Sequence, residues 1–328
     1  MFAPPAVAGD LVFVGSCSGT FYALDWRTGE QRWSYDIRQD GKQISFHGAI
    51  LIDKNRVLFD TDRSCDADGI GHVYAADQGS GRILWKYRSP VGVSANLLRT
   101  RSSVCFGTTS AEWGCLDPTS GAVRWKVAPL PGKSACEMPV WADSDGERLF
   151  VVASDGAVVA LRASNGEVLW KRWLGARATT SPLVARGVLH LGAADDRVYS
   201  LEATTGRVLH SLSVSGRPVG RPTVAREGLF FLIERTTKPK GRLVALDPTG
   251  RQLKWFREHD RTFASEQPHV WRDVIVAADC AGAVSAFSVA DGTSRWQMNV
   301  TGCVRSIGSS RELLFFGAQE GMVYAVRP

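Results

Sequence analysis

Long apolar runs are missing from this chain, and their absence excludes a membrane-spanning helix. No stretch of the 328 residues approaches the roughly 18 consecutive apolar residues that such a helix requires. The first residues, MFAPPAVAGDLVFVGS, lack the basic start and the long apolar core of a signal peptide. Charged residues are also few, at 22% against 44% hydrophobic residues, and this balance excludes an intrinsically disordered chain.

Metal-type cysteine spacings are missing as well. The sequence has no Cys-x-x-Cys pair and no two adjacent cysteines among Cys17, Cys65, Cys105, Cys115, Cys136, Cys280 and Cys303. Cys105 and Cys115 flank one predicted hairpin, and the register counted from its turn places them on opposite faces of the sheet. We therefore expect small buried thiols rather than a bridge, a pattern that favours a reducing compartment.

One segment recurs along the whole chain. It is GTFYALDWRTGEQRW at 19–33, and related segments begin at Gly71, Ala111, Gly156, Asp196, Gly241, Gly282 and Gly321. The starts are 52, 40, 45, 40, 45, 41 and 39 residues apart. Self-similarity at a period of about 40 residues indicates a solenoid, a propeller or an array of domains.

Each repeat has the pattern of four short strands. An inner segment, often with a proline near its end, precedes an apolar run, a third strand such as Thr20–Leu24 and a fourth strand that ends in Trp. An Asp-x-x-Thr/Ser-Gly turn separates the last two strands, and no segment sustains a helical period. We predict an all-β, eight-bladed β-propeller of four-stranded antiparallel blades, forming a single domain over residues 1–328.

The last blade lacks its outer strand in this chain, which gives 31 strands in all. The eighth repeat begins at Gly321 and stops at Pro328, before a fourth strand. Because propellers often close with a strand from their N-terminal segment, we expect such a strand upstream of residue 1; the alternative is closure by three-stranded pairing alone. We expect a cytoplasmic protein if Met1 is the native start and a periplasmic one if a signal segment was removed.

Six of the eleven tryptophans end a fourth strand, where an indole is large enough to cover the gap between neighbouring sheets. They are Trp33, Trp85, Trp125, Trp170, Trp255 and Trp296. We interpret them as structural docking residues rather than as an aromatic ligand cage. Blade five carries His210 in this position, and we expect it to be the most weakly docked blade.

The motif Ala23-Leu24-Asp25-x-x-Thr28-Gly29-x-x-x-Trp33 resembles the tryptophan-docking motif of the pyrroloquinoline-quinone (PQQ)-type eight-bladed propellers. That superfamily includes quinoprotein alcohol dehydrogenases and the lipoprotein propeller of the outer-membrane β-barrel assembly machinery. The dehydrogenases carry adjacent cysteines against the quinone and an acidic Ca²⁺ site, and this chain has no adjacent cysteines. The resemblance therefore implies a binding propeller nearer to the assembly lipoprotein, without PQQ and without a recognisable cofactor.

An aspartate-rich insertion at 60–69 is the most unusual local stretch. Asp60, Asp62, Asp66 and Asp68 offer oxygen ligands of the kind that Ca²⁺ prefers, the last three forming the candidate site. The glutamate that would complete an EF-hand loop is absent, and Arg63 lies in the middle of the stretch. The segment therefore predicts either a calcium site or a polar loop held by its own side-chain turns.

The inner segments carry polar residues where most repeats have small ones. We predict that these side chains ring one mouth of the central channel and bind a small anion or a partner's side chain: His47, Glu137, Arg217, Arg221, Glu266 and Arg305. The alternative is that they pair with one another across blades and stabilise the ring. No nucleophile, base and orienting group can be placed together from the sequence.

Positive charge is concentrated in one part of the chain. Residues 171–261 contain 17 Lys or Arg and 8 Asp or Glu, a net charge of +9 within a chain total of +6. The spacing of these residues is typical of strand edges, so we do not expect a nucleic acid ligand. We predict a non-enzymatic, monomeric propeller that binds a protein partner, and the alternative is a small-ligand or catalytic site in the channel mouth.

Overall fold

Short apolar strands, separated by glycine and aspartate turns, form eight antiparallel sheets. The computed structural model describes residues 4–16, 18–41, 45–46, 48–62, 70–93, 96–130, 140–319 and 321–327. In seven sheets four strands follow one another in chain order, and in the eighth sheet the described residues form three strands. The predicted eight-bladed propeller with a three-stranded last blade is confirmed. No helix among these residues is long and apolar enough to cross a membrane.

In the first four blades, the part of the chain that the structure describes forms sixteen strands and one short 3-10 helix at Ile37–Asp40. Blade one contains β1 (Ala6–Ala8), β2 (Leu11–Gly15), β3 (Thr20–Asp25) and β4 (Gln31–Asp36). Blade two contains β5 (Leu51–Asp53), β6 (Arg56–Thr61), β7 (Gly71–Asp77) and β8 (Ile83–Ser89). Blade three contains β9 (Leu98–Arg99), β10 (Val104–Gly107), β11 (Trp113–Leu116) and β12 (Val123–Val127). Blade four contains β13 (Val140–Ser144), β14 (Arg148–Ala153), β15 (Ala157–Arg162) and β16 (Val168–Trp173).

The described residues of the last four blades form fifteen strands. Blade five contains β17 (Leu183–Ala185), β18 (Val188–Ala193), β19 (Arg197–Glu202) and β20 (Val208–Ser213). Blade six contains β21 (Arg217–Val224), β22 (Leu229–Glu234), β23 (Gly241–Leu246) and β24 (Leu253–His259). Blade seven contains β25 (His269–Trp271), β26 (Val274–Ala278), β27 (Ala283–Ser288) and β28 (Ser294–Asn299). Blade eight contains β29 (Val304–Ser309), β30 (Leu314–Ala318) and β31 (Val323–Val326).

The hydrophobic core lies between neighbouring blades. At the seam between blades one and two, Phe21 stacks on Phe59 with ring centroids 3.9 Å apart. Trp33 lies over Phe13 and Phe21, at 5.8 and 5.9 Å between ring centroids. Burying an indole of this size removes about 200 Å² from water and contributes up to about 5 kcal/mol.

The tryptophans dock in one repeated way. The indole N–H of Trp33 donates to the carbonyl oxygen of Gln78 in the next blade at 2.8 Å, and its ring lies against the turn glycine Gly81. Equivalent indole hydrogen bonds of 3.0–3.3 Å occur at four further seams: Trp85 to Pro118, Trp125 to Ala163, Trp170 to Ala203 and Trp255 to Val289. In blade one, Asp25 is the first residue of the turn between the third and fourth strands. In each of the five seams, the acceptor carbonyl belongs to the residue that directly follows the equivalent position in the next blade.

Three seams differ from this scheme among the described residues. In blade one, a Cβ built on the turn glycine Gly29 would have no described atom within 4 Å, because β31 is the last described strand of blade eight. Trp296 of blade seven packs against the cluster that includes Val304 and Phe316, and its indole makes no hydrogen bond with the described part of the chain. In blade five, His210 occupies the tryptophan position, as the sequence requires.

The expectation for the cysteines was wrong. Cys105 and Cys115 are direct cross-strand partners of β10 and β11, with their Cα atoms 3.9 Å apart, and they form a disulfide. The loop between them pairs Thr108 with Glu112, so residues at equal distances from Ser110 lie opposite each other on one face. A second disulfide joins Cys280 to Cys303. The prediction of a reducing compartment loses its support.

Candidate functional site

The connections between blades and the turns from second to third strand share one end of the ring, which we call the loop face. This face holds Thr61 at the end of β6 and Gly71 at the start of β7. It also holds the turn at 234–241 and the start of every described inner strand. The opposite end carries the short turns in which tryptophan docking takes place. The inner strands are therefore entered from the loop face, and Arg217, Glu266 and Arg305, which lie close to the first residues of β21, β25 and β29, are near that end.

A ladder of backbone hydrogen bonds links four neighbouring inner segments. The Ser181 N–H donates to the Gly220 carbonyl at 2.9 Å, and the Arg221 N–H donates to the Glu266 carbonyl at 2.8 Å. The Glu266 N–H in turn donates to the Arg305 carbonyl at 2.9 Å. Three of the predicted residues, Arg221, Glu266 and Arg305, thus lie side by side in blades six, seven and eight. We call this arrangement the channel arc.

Local irregularities bring these segments together. The pairing of β21 with β22 shifts between Val219 and Thr223, and Gly220 there has a φ of 71°. A Cβ on Gly220 would lie 2.3 Å from the Glu266 carbonyl oxygen, so only glycine permits this approach. A similar register shift lies between Val304 and Ser306 in β29. These bulges turn peptide groups away from their own sheet and toward the neighbouring blade.

Some polar side chains of the arc have hydrogen-bond or ion-pair partners, and others have none among the described residues. The Arg221 guanidinium lies 3.9 Å from a carboxylate oxygen of Asp143 in blade four, and the Val184 N–H donates to the other oxygen at 2.8 Å. Burial raises the pKa of Asp143, although Arg221 and the Val184 amide favour its ionised form. The Nε of Arg305 and the hydroxyl of Ser306 are buried without a hydrogen-bond partner among the described residues. A buried donor of this kind costs about 1–3 kcal/mol when it stays unpaired.

Arg217 does not join the arc. It is exposed, pairs with Glu234 and lines a cavity of about 560 Å³ between blades five and six. The cavity is bounded by the turns at 194–196, 215–217 and 234–237. Next to it, Lys238 and Lys240 are exposed and make no ion pair with a described residue. The basic sector predicted at 171–261 therefore contains both paired arginines and these two exposed lysines on the loop face.

The calcium candidate is only partly within the described residues. Asp62 is buried and pairs through its backbone with Ser45, at 3.1 and 3.2 Å. Asp60 is also buried, its Oδ1 accepts from the Gly48 N–H at 3.1 Å, and its Oδ2 has no partner among the described residues. Burial, with Asp62 adding like charge, raises the pKa of Asp60 well above its usual range. No cluster of three or more His, Cys, Asp or Glu occurs in the described ranges.

Four predicted site residues lie outside the described residues: His47, Asp66, Asp68 and Glu137. Two neighbours of the predicted residues escaped the sequence prediction, namely Asp143 and Ser306. Asp143 lies in an inner strand, so its position relative to the channel was a usable signal. The pairing of Asp143 with Arg221, two blades away, could not be predicted from the sequence, because this contact depends on the closure of the ring.

Sequence comparison assigns the chain to a family. The family described as "Outer membrane protein assembly factor BamB" matches residues 2–128 and 112–328, which together span nearly the whole chain. This chain belongs to the BamB family. Membership implies that the matched residues share the repeat and the fold of the family. It does not identify the partner of this chain.

Solved structures agree with the BamB family in fold. BamB from Moraxella catarrhalis superposes with a TM-score of 0.74 at 19% identity, covering 98% of this chain and 93% of that chain. The computationally designed protein Ika8 superposes with a TM-score of 0.80 at 16% identity, covering 100% of this chain and 96% of that chain. At these identities the likeness shows the fold alone.

A curated enzyme is also similar over part of its length. The chain is 24% identical over 142 residues to the quinohemoprotein alcohol dehydrogenase of Comamonas testosteroni. That match covers 40% of this chain and only 20% of the dehydrogenase. The BamB-family chain has no two adjacent cysteines, the feature expected beside the quinone of the dehydrogenases. Its described disulfides, Cys105–Cys115 and Cys280–Cys303, join residues that are distant in sequence.

Proposed function

We propose that this BamB-family chain is a non-enzymatic scaffold that binds a protein partner through the loop face of blades five and six. The observation that carries the proposal is the cavity of about 560 Å³ beside the exposed Lys238 and Lys240. A solved relative that is covered almost end to end, BamB of Moraxella catarrhalis, belongs to a family of assembly factors. Family membership and surface geometry support the same kind of role.

The charge of this surface indicates the chemistry of the partner. Arg217 and Arg235 at the cavity rim are neutralised by Glu234 and Glu258, whereas Lys238 and Lys240 are available to attract an acidic surface. Complementary charges of this kind speed association and fix the orientation of a complex more than they add affinity. We therefore propose an acidic segment as the part of the partner that faces Lys238 and Lys240.

Photocrosslinking in cells tests this proposal. A photoreactive residue at Thr237 on the loop face is compared with one at Gln252, an exposed turn position on the opposite face. We expect a discrete adduct from Thr237 that the double variant K238E/K240E abolishes. The matched control R226E/R251E makes the same charge change on the opposite face and should preserve the adduct. Equal adducts from both faces, or no adduct from Thr237, would contradict the proposal.

A second candidate function rests on the channel arc. The Nε of Arg305 and the hydroxyl of Ser306, buried and unpartnered among the described residues, lie in blade eight next to Glu266 and Arg221. Such donors are suited to a small anionic ligand in the channel mouth, with a carboxylate or phosphate as acceptor. The candidate function proposed for the arc is the binding of such an anion.

A thermal-shift screen separates the two candidates. The protein is heated with phosphate or with small dicarboxylates, and a ligand at 100 times its dissociation constant adds about 2.7 kcal/mol of stability. We expect the shift to disappear in R305M and to persist in R217M, which alters an exposed arginine outside the arc. If no anion shifts the melting temperature, or if R305M responds like the wild type, the arc is only structural.

A further inference from the structure

The short turn between the first and second strands begins with a basic residue in six of the eight blades. Its first position is Gly9 in blade one and Asp145 in blade four. The other six blades have Lys54, Arg101, Arg186, Arg226, Arg272 and Arg311 in that position. The first strands line the central channel, and these turns end them on the face opposite the loop face. The six basic residues therefore lie around the second mouth of the channel.

The four arginines of blades five to eight are consecutive, and hydrogen bonds link them in pairs. Nη2 of Arg186 donates to the carbonyl oxygen of Arg226 at 3.2 Å, and Nη2 of Arg272 donates to that of Arg311 at 2.7 Å. The guanidinium of Arg272 also lies over the ring of Trp271, 4.1 Å from its centroid. Neighbouring turns are thus within reach of one arginine side chain. We call these four arginines the arginine rim.

Among the described residues, no carboxylate pairs with the arginine rim. All four arginines are exposed, and each guanidinium has five N–H groups, of which the described contacts use at most one. Three of the arginines are directly followed by an acid in the sequence. Glu312 pairs with Arg327, and Glu227 and Asp273 make no ion pair with a described residue. The rim therefore keeps its positive charge and most of its donors for a ligand.

The turn itself does not require arginine. Arg186 and Arg272 have φ of 52° and 56°, in the left-handed region that favours glycine and asparagine. Blade one has Gly9 in the same position, with φ of 58°. Four like charges on neighbouring turns also repel one another unless an anion lies between them. The recurrence of arginine in four consecutive blades therefore has its explanation in binding rather than in the fold.

We propose that the arginine rim binds a linear polyphosphate, which lies along the four turns at this mouth of the channel. Guanidinium groups bind phosphate oxygens through paired, charge-assisted hydrogen bonds. Packed sheets lie about 10 Å apart, so the rim extends over a distance that several linked phosphate groups can follow and one cannot. Trp271 is buried and offers no surface on which nucleic acid bases could stack, which favours a polyanion without bases. The rim lies on the face opposite Lys238 and Lys240, so it is separate from the proposed protein-binding surface.

Binding of labelled inorganic polyphosphate to the full chain tests the proposal. Fluorescence anisotropy is measured at about 0.05 M and about 0.2 M salt, and orthophosphate, polyglutamate and single-stranded DNA are added as competitors. We expect saturable binding that weakens as the salt concentration rises, because phosphate contacts release counterions. Orthophosphate should compete weakly. Polyglutamate or DNA that competes as well as unlabelled polyphosphate at equal charge would overturn the assignment of the ligand.

Variants locate the polyphosphate. R226Q/R311Q removes two side chains that make no hydrogen bond or ion pair with a described residue, and it should weaken binding at least about tenfold. R186Q/R226Q/R272Q/R311Q removes the whole rim and should weaken it further. The matched control K171Q/R177Q/K238Q/K240Q removes four charges from exposed residues outside the rim and should bind like the wild type. Circular dichroism establishes that each variant is folded. Undiminished binding by R226Q/R311Q, or an equal loss in the control, would overturn the proposal.

Discussion

The contact between a docking tryptophan and the turn glycine of the next blade can be measured with one matched pair of substitutions. Gly81 and Gly29 occupy the same turn position in blades two and one, with φ of 71° and 76°. Changing either to alanine imposes the same left-handed backbone strain, about 1–2 kcal/mol. Of the two, Gly81 faces a tryptophan, because its Cβ would lie 2.5 Å from the Trp33 ring, whereas a Cβ on Gly29 meets no described atom within 4 Å.

The difference between the two variants therefore isolates the docking contact. A Cβ at 2.5 Å forces the indole or the turn to move, and overpacking of this kind costs about 1–3 kcal/mol. We expect G29A to lose about 1–2 kcal/mol of unfolding free energy and G81A to lose about 2–5 kcal/mol. Guanidinium denaturation followed by circular dichroism gives both values, since the midpoint shifts at constant slope.

A double-mutant cycle supplies the control. In the W33A background the ring that Gly81 contacts is gone, so G81A should then cost no more than G29A. Equal losses for G81A and G29A in the wild-type background would refute the reasoning. The docking contact would then be looser than the structure describes.

Three other measurements concern buried ionisable groups and one disulfide. Burial lowers the pKa of His269 to about 4, so the unfolded state binds its proton first as the pH falls. We expect His269 to contribute a loss of about 2 kcal/mol between pH 8 and pH 5, and denaturation of H269N should show a loss smaller by that amount. His190, whose pKa burial also lowers to about 4, contributes alike in both proteins. The variant R221M leaves the buried Asp143 without its nearby cation, and because the pKa of Asp143 is already raised, the loss should be about 1 kcal/mol larger at pH 7 than at pH 4. Thiol labelling of the denatured, unreduced protein should leave Cys105 and Cys115 unmodified. In a C280S/C303S background, which lacks the second disulfide, reduction should cost about 2–3 kcal/mol for their ten-residue separation.

The sequence by itself determined the fold. Strand patterns, turn glycines and a tryptophan at the end of the fourth strand are local signals, and each repeat states them again. Eight copies of a unit that cannot bury its own faces leave a closed ring as the arrangement without exposed ends. The three-stranded last blade also follows from counting along the chain.

The sequence prediction missed two features that depend on the register between neighbouring strands. Cys105 and Cys115 pair because their loop is centred on Ser110, a fact that the turn alone did not reveal. The row His190–Ser200–His210, in which three polar residues of blade five lie directly opposite one another, also went unrecognised, although its ten-residue spacing is the spacing of the apolar row Phe13–Ala23–Trp33 in blade one. Comparing those spacings between repeats is enough to identify the polar row from the amino-acid sequence alone.

The channel arc forms only when the ring closes, so the sequence alone did not predict it. Arg221, Glu266 and Arg305 are about 40 residues apart in sequence, and backbone hydrogen bonds between neighbouring blades bring them together. Arg217, only four residues from Arg221, faces Glu234 instead, because the bulge at Gly220 separates their directions. A local pattern specifies a strand and its exposed face, whereas contacts between blades depend on how sheets are tilted and bulged around the axis. The sequence therefore determined the scaffold, and the tertiary structure decided which of its polar residues meet.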